Sequence, residues 1–191
     1  MKRALPLLVV AALLAGAGSA SALSYRPAGI TAADTPLEAA TALVEQRPAL
    51  VDGADSDQLV PAAQEQGAGG TTIVRFDQEL RGVPVLGGEV VVTVDARRRV
   101  LAADGDVLAD GASVAFGPSV SAERAEQLAQ AALGKGTRAR FVVSAPALVI
   151  YDARIIGGPG PSEPVLAWDV EVTNGDAFRR RVFVDATTGY I

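Results

Sequence analysis

The order of apolar and polar residues divides the chain into segments of different period. Residues 4–17 form an unbroken apolar run. In "TPLEAATALVEQRP" the apolar Leu37, Ala40 and Val44 recur at helical spacing, Thr35 stands as N-cap, Pro36 takes the first helical position and Glu38 completes a capping box. Pro48 stops that helix. Residues 52–70, "DGADSDQLVPAAQEQGAGG", hold no sustained period and predict a loop or a weak helix. From Thr71 the period becomes two. "TTIVRFDQEL", "GEVVVTVD" and "RVLAADGDVL" read as strands; in the second, Val90, Val92 and Val94 take one face and Val91 and Thr93 the other, as a half-buried antiparallel sheet requires. "DARRR" predicts a hairpin turn with Arg97, Arg98 and Arg99 at its solvated tip, and Asp104-Gly105 predicts a further turn.

The second half repeats the theme with a stronger helix. "DGASVAFGPS" is small, Gly-containing and near a Pro, and predicts a joint between two units. "SAERAEQLAQAALG" then places Ser121 as N-cap, Glu123 in the first turn, Ala125, Leu128, Ala129, Ala132 and Leu133 on one face, and Gly134 as the stop. "RFVVSA", "ALVIYDARI", "VLAWDVEV" and "FRRRVFVDA" follow as strand candidates, the middle pair split by "GGPGPSEP" and the last pair joined by Asn174-Gly175-Asp176. The expected class is α+β: two small modules, each an antiparallel β-sheet packed with one or two helices.

Composition narrows the chemistry. The chain has 191 residues, 17 basic and 22 acidic, and neither Cys nor His. That mild acidity argues against a nucleic-acid partner. The absent residue types exclude a Ser-His-Asp triad, a Cys-His dyad and an ordinary zinc site, so no catalytic, metal or cofactor residue is assigned. Residues 1–22 combine Lys2 and Arg3 with the apolar run and an Ala20-Ser21-Ala22 cleavage site, and are read as an export signal. At about 14 residues the run is shorter than the roughly 20 that span a bilayer, and no membrane span is expected in the mature chain, which is read as secreted or extracytoplasmic.

The stretch "LRGVPVLGGEVVVTV" poses the sharpest question, because its glycines could cradle a phosphate or shape a turn. Phosphate loops run from a strand into a helix. This one runs into a strand, with neither G-x-G-x-x-G spacing nor a following Lys, so the reading is structural: Gly82 for a positive φ, Pro84 for a fixed φ, and Gly87-Gly88 to let the next strand begin close to its partner.

On "RFDQELRGVPVLGGEVVVTVDARRRVLAADGDV" the chain resembles the FTP (fungalysin/thermolysin propeptide) module, through Gln78 and the string Gly82, Val83, Pro84, Val85, Gly87, Gly88 and Glu89. Residues 121–191, with "LAWDVEV" and "RRRVFVDATTGYI", are similar to the PepSY module that follows it in propeptides of thermolysin-like metallopeptidases. Beside the signal read at 1–22 and the helix and loop read at 23–70, the resemblance implies an FTP-like module at 71–117 and a PepSY-like module at 118–191. It also implies a secreted, non-enzymatic pro-region that chaperones and inhibits a thermolysin-like protease catalytic domain, in cis or in trans, with Tyr190 and Ile191 as protease contacts. The alternatives are the front of a zymogen whose His-Glu-x-x-His domain is missing, and a free-standing extracytoplasmic inhibitor or binding module.

Other candidates carry less. Asp52, Asp55 and Asp57 lack calcium-loop spacing, and Lys135 sits in a solvated turn rather than a Ser-Lys dyad. "DATTG" differs from the Asp-Thr-Gly of aspartic proteases and reads as a strand-end turn, while Trp168 and Tyr151 read as core and Arg179, Arg180 and Arg181 as exposed strand side chains.

Overall fold

The computed structural model describes residues 23–25, 33–46, 58–108, 114–133, 141–174 and 178–191. Residues 1–22, read as an export signal, and Pro48, Asp52, Asp55, Asp57, Gly134, Lys135 and Gly175-Asp176 lie outside them.

A first antiparallel sheet runs in the order β2 (Leu59–Gln66), β3 (Thr72–Leu80), β4 (Val83–Val94), β5 (Val100–Asp106) and β1 (Leu23–Tyr25). Helix α1 (Pro36–Gln46) covers one face, with Ala39, Ala40, Leu43 and Val44 buried against Val74, Phe76, Val90, Val92 and Val94. Its start is the expected capping box: Thr35 Oγ1 accepts from the Glu38 amide, and a Glu38 carboxylate oxygen accepts from the Thr35 amide, each at 3.1 Å. Full burial of a Leu or Val is worth about 1.5–3 kcal/mol, so packing on the sheet, not propensity, holds this short helix.

In the second sheet β8 (Val165–Thr173) lies between β9 (Arg179–Asp185) on one side and β7 (Ala147–Tyr151) with β6 (Val142–Val143) on the other, all antiparallel. Helix α2 (Ala122–Ala132) presses the fully buried Ala125 and Ala129 onto Val170, Val172, Val182 and Val184. Ser121 Oγ caps it by accepting from the Arg124 amide at 3.2 Å.

Strand β4 belongs to both sheets. Val85 pairs in parallel with Ile150 of β7, while residues 89–94 pair with β5. Leu80, Val85, Leu108, Val114, Ile150, Leu166 and Ala186 form one buried cluster at the join, against which Phe116 packs. In the described part of the expected joint, Val114 and Phe116 pack into this cluster, while Ala115, Gly117, Pro118 and Ser119 are exposed. The α+β reading holds.

Several local expectations are corrected. Residues 59–66 are strand β2, not loop or weak helix: it is an edge strand burying only Leu59, with Pro61 and a register shift, so no alternation marks it in the sequence. β4 begins at Val83 and runs through Gly87-Gly88 rather than starting after them. Asp104-Gly105 is no turn but mid-β5, opposite Val91 and Val90; a Cβ at Gly105 would stand 2.1 Å from the Glu89 carbonyl oxygen, so glycine answers a close strand approach. After β7 the chain forms helix α3 (Ala153–Ile156) instead of continuing as strand, because the Asp152 carboxylate accepts from the Arg154 amide at 2.8 Å and Gly157 closes the turn at φ +61°. "RFVVSA" yields only the short β6.

Candidate functional site

The glycine hairpin is where the two sheets meet. Arg81 and Gly82 form the two-residue turn between β3 and β4 at φ +54° and +76°, the mirror-image turn that fits strand twist. It sets Leu80 opposite Val83 and Glu79 opposite the exposed Pro84, and sends Val85 into the shared core. Gly87, at φ +74°, receives α3: a Cβ there would lie 3.2 Å from Ile156 Cγ2 and 3.3 Å from Ile155 Cγ2. A Cβ on Gly88 would lie 2.8 Å from Val85 Cβ and 3.1 Å from Gln78 Oε1. The missing side chains thus make room for the helix on one residue and for Gln78 on the next.

Gln78 is fully buried and acts as a stand-in peptide group. Its Oε1 accepts from the Leu108 amide at 2.7 Å, and its Nε2 donates to the Leu108 carbonyl at 2.9 Å and to Gln58 Oε1 at 3.3 Å. Leu108 follows β5 where the chain leaves the first sheet, so Gln78 ties down that exit. Glu89, also in the motif, forms an ion pair with Arg75 of β3 and so raises the guanidinium's pKa above its ordinary value. Both side chains are about two-fifths exposed, 39% and 42%, and the pair adds little to stability.

The C-terminal end forms a second feature. Asp185 Oδ1 accepts from the amides of Thr187 and Thr188 at 2.8 and 2.7 Å, and the Gly189 amide donates to the Asp185 carbonyl at 2.9 Å. "DATTG" is thus the expected strand-end turn. Beyond it Tyr190 and Ile191 stand 80% and 64% exposed, beside a groove of about 460 Å³ along β9 that Tyr151, Pro159 and Phe183 also line. Tyr151 stacks on Phe183 with ring centroids 5.0 Å apart and donates its hydroxyl to the Pro159 carbonyl. Trp168 packs between two buried clusters and donates from Nε1 to the Val120 carbonyl at 2.8 Å. Both are core residues, as expected. Arg97, Arg98 and Arg99 are exposed around a turn held by Asp95, whose carboxyl lies below its usual range chiefly through the Arg99 backbone amide.

Sequence reasoning missed two polar fixtures. The Gln78–Leu108 clamp links positions too far apart for any local signal. The Asp152–Arg154 pair, with Asp152 only 1% exposed, was detectable as an N-cap ahead of "ARII". Among the described residues no three His, Cys, Asp or Glu side chains are grouped to hold a metal ion.

The chain is similar to known proteins in three ways. A "Transglutaminase-activating metalloprotease" of Streptomyces mobaraensis is 32% identical over 125 residues, which cover 63% of this chain and 16% of that relative's length. The solved structure "Bacillus megaterium YpeB C-terminal domain" aligns with a TM-score of 0.42 at 18% identity, covering 86% of this chain and 64% of the other. The strands β2 to β5, with the glycine hairpin and Gln78, lie within the part of the sequence, residues 57–107, that matches the Fungalysin/Thermolysin Propeptide Motif.

Proposed function

We propose that the chain is the secreted, non-catalytic pro-region of a thermolysin-like metalloprotease, acting as folding chaperone and inhibitor of the protease domain. The observation that carries this reading is the propeptide-motif match over residues 57–107. Similarity to a metalloprotease over 125 residues supports it. On this reading residues 1–22 are the export signal, 71–117 the FTP-like module and 118–191 a PepSY-like module that presents Tyr190 and Ile191 to the protease. Their high exposure at the end of a fixed turn suits contact with another surface. Gln78, Gly82, Val83, Pro84, Val85, Gly87, Gly88 and Glu89 serve the fold of the first module, not chemistry.

Two assays test it. A thermolysin-like protease domain denatured and diluted from guanidinium should regain activity only with the chain present, and the folded protease should then be inhibited by it. Failure of both assays overturns the reading. A second reading, the front end of a longer zymogen, is favoured by the fact that the chain spans 16% of the metalloprotease it resembles. An in-frame His-Glu-x-x-His encoded beyond Ile191 would decide for it.

A further inference from the structure

Among the described residues β9 pairs only with β8, and its outer edge is open. The Ala186 amide donates to the Leu166 carbonyl at 2.8 Å, which sets the alternation of the ladder: Val184, Val182 and Arg180 face β8, and the backbone groups of Arg179, Arg181 and Phe183 face outward. The register runs unbroken from Thr173–Arg179 to Ala167–Asp185. The long edge strand of the other sheet, β2, is by contrast interrupted at Pro61 by a register shift, a common block to strand addition. The chain itself places one rung outside β9, for the outward amide of Asp185 donates to the Tyr190 carbonyl at 2.8 Å.

Side-chain chemistry selects the occupant. A strand added here sends alternate side chains to opposite faces, one set on the side of Phe183 and Tyr151 and the other on the side of Arg180 and Val182, and Arg180 also reaches the groove that Phe183 and Tyr151 line. Arg181 is paired with Asp169 and Arg179 with Glu171, whereas Arg180 has no ion pair among the described residues and only stacks on Phe178 at 5.6 Å. We propose that the outer edge of β9 takes an extended, alternately acidic and apolar segment of a partner polypeptide as an added strand. This goes beyond the pro-region reading, and its test contains no protease, so either can fail alone.

The test titrates the full chain with the peptide acetyl-Val-Glu-Val-Glu-Val-amide and follows amide hydrogen exchange. Exchange at Arg181 and Phe183 should slow on binding. N-methylation of alternate peptide nitrogens should weaken binding about tenfold by removing backbone donors, with no change to the protein. Arg180→Glu should weaken it about fivefold and favour the Val-Lys-Val-Lys-Val analogue instead. Unchanged exchange at both amides, or equal binding of the N-methylated peptide, overturns the proposal. So does slowing in the peptide-free chain that grows with protein concentration, which would give the edge to a second copy.

Discussion

Gln78 holds Leu108, 30 residues further along, by both of its backbone groups. The two bonds are made in a fully buried position, where a polar group without a partner is costly, and they fix the point at which the chain leaves the first sheet. The propeptide-motif match over residues 57–107 therefore contains the turn and Gln78, and ends one residue before the clamp's partner, Leu108.

Gln78→Leu should strand the amide and carbonyl of Leu108, each at about 1–3 kcal/mol, for a total loss of about 2–6 kcal/mol in urea unfolding. A loss below about 0.5 kcal/mol would mean that water replaces the clamp.

Gly88→Val should destabilise by about 1–3 kcal/mol through overpacking against Val85 and Gln78. Thermal melting checks this. A variant that melts like the wild type yet no longer inhibits a protease would make the hairpin an interface.

Acid should remove the contribution of Asp152. Burial pushes its carboxyl up, but the side-chain and backbone bonds from Arg154 outweigh this and hold it below the usual range. A depressed folded pKa gives stability that is complete above the ordinary carboxylate value and lost as pH falls below about 4 through the folded value. Asp152→Asn should therefore cost about 1 kcal/mol at neutral pH, allowing for solvent screening of the half-exposed Arg154, and progressively less in acid. Paired urea titrations at neutral pH and pH of about 3 decide it; a gap that widens in acid contradicts the assignment.

Residues 23–191 should hydrolyse neither casein nor small peptide esters, with or without added zinc, since the sequence has no His or Cys. Zinc-dependent turnover that survives repurification would refute this.

Replacing Tyr190 and Ile191 together by Ala should weaken inhibition of a thermolysin-like protease by at least about tenfold while leaving the melting temperature unchanged, because both side chains are exposed. Removing residues from 186 onward is a poorer experiment: Ala186 is buried, and its carbonyl accepts from Ser119 and Val120 at 2.8 and 2.9 Å. Equal inhibition by the double variant would take the two side chains out of the mechanism.

What is local is legible in the residues alone. Thr35 and Glu38 specify a helix start because each satisfies the other's backbone amide within one turn, and Ser121 does the same for α2 alone. Val90, Val92 and Val94 specify a buried face because side chains alternate along any strand. The positive φ of Gly82 and the turn after Asp185 follow from residues that accept positive φ or bond to nearby amides. What depends on a distant neighbour follows from packing in the folded chain. Strand β2 has little buried face of its own and forms because β3 offers an edge. Gly105 belongs to a strand because the backbone of β4 comes too close for a side chain, and Gly87-Gly88 lie within a strand because α3 and Gln78 occupy the space beside them. Among the described residues the outer edge of β9 carries no strand because β6 and β7 pair with the other side of β8, a consequence of pairings between residues far apart in sequence that no local period can encode.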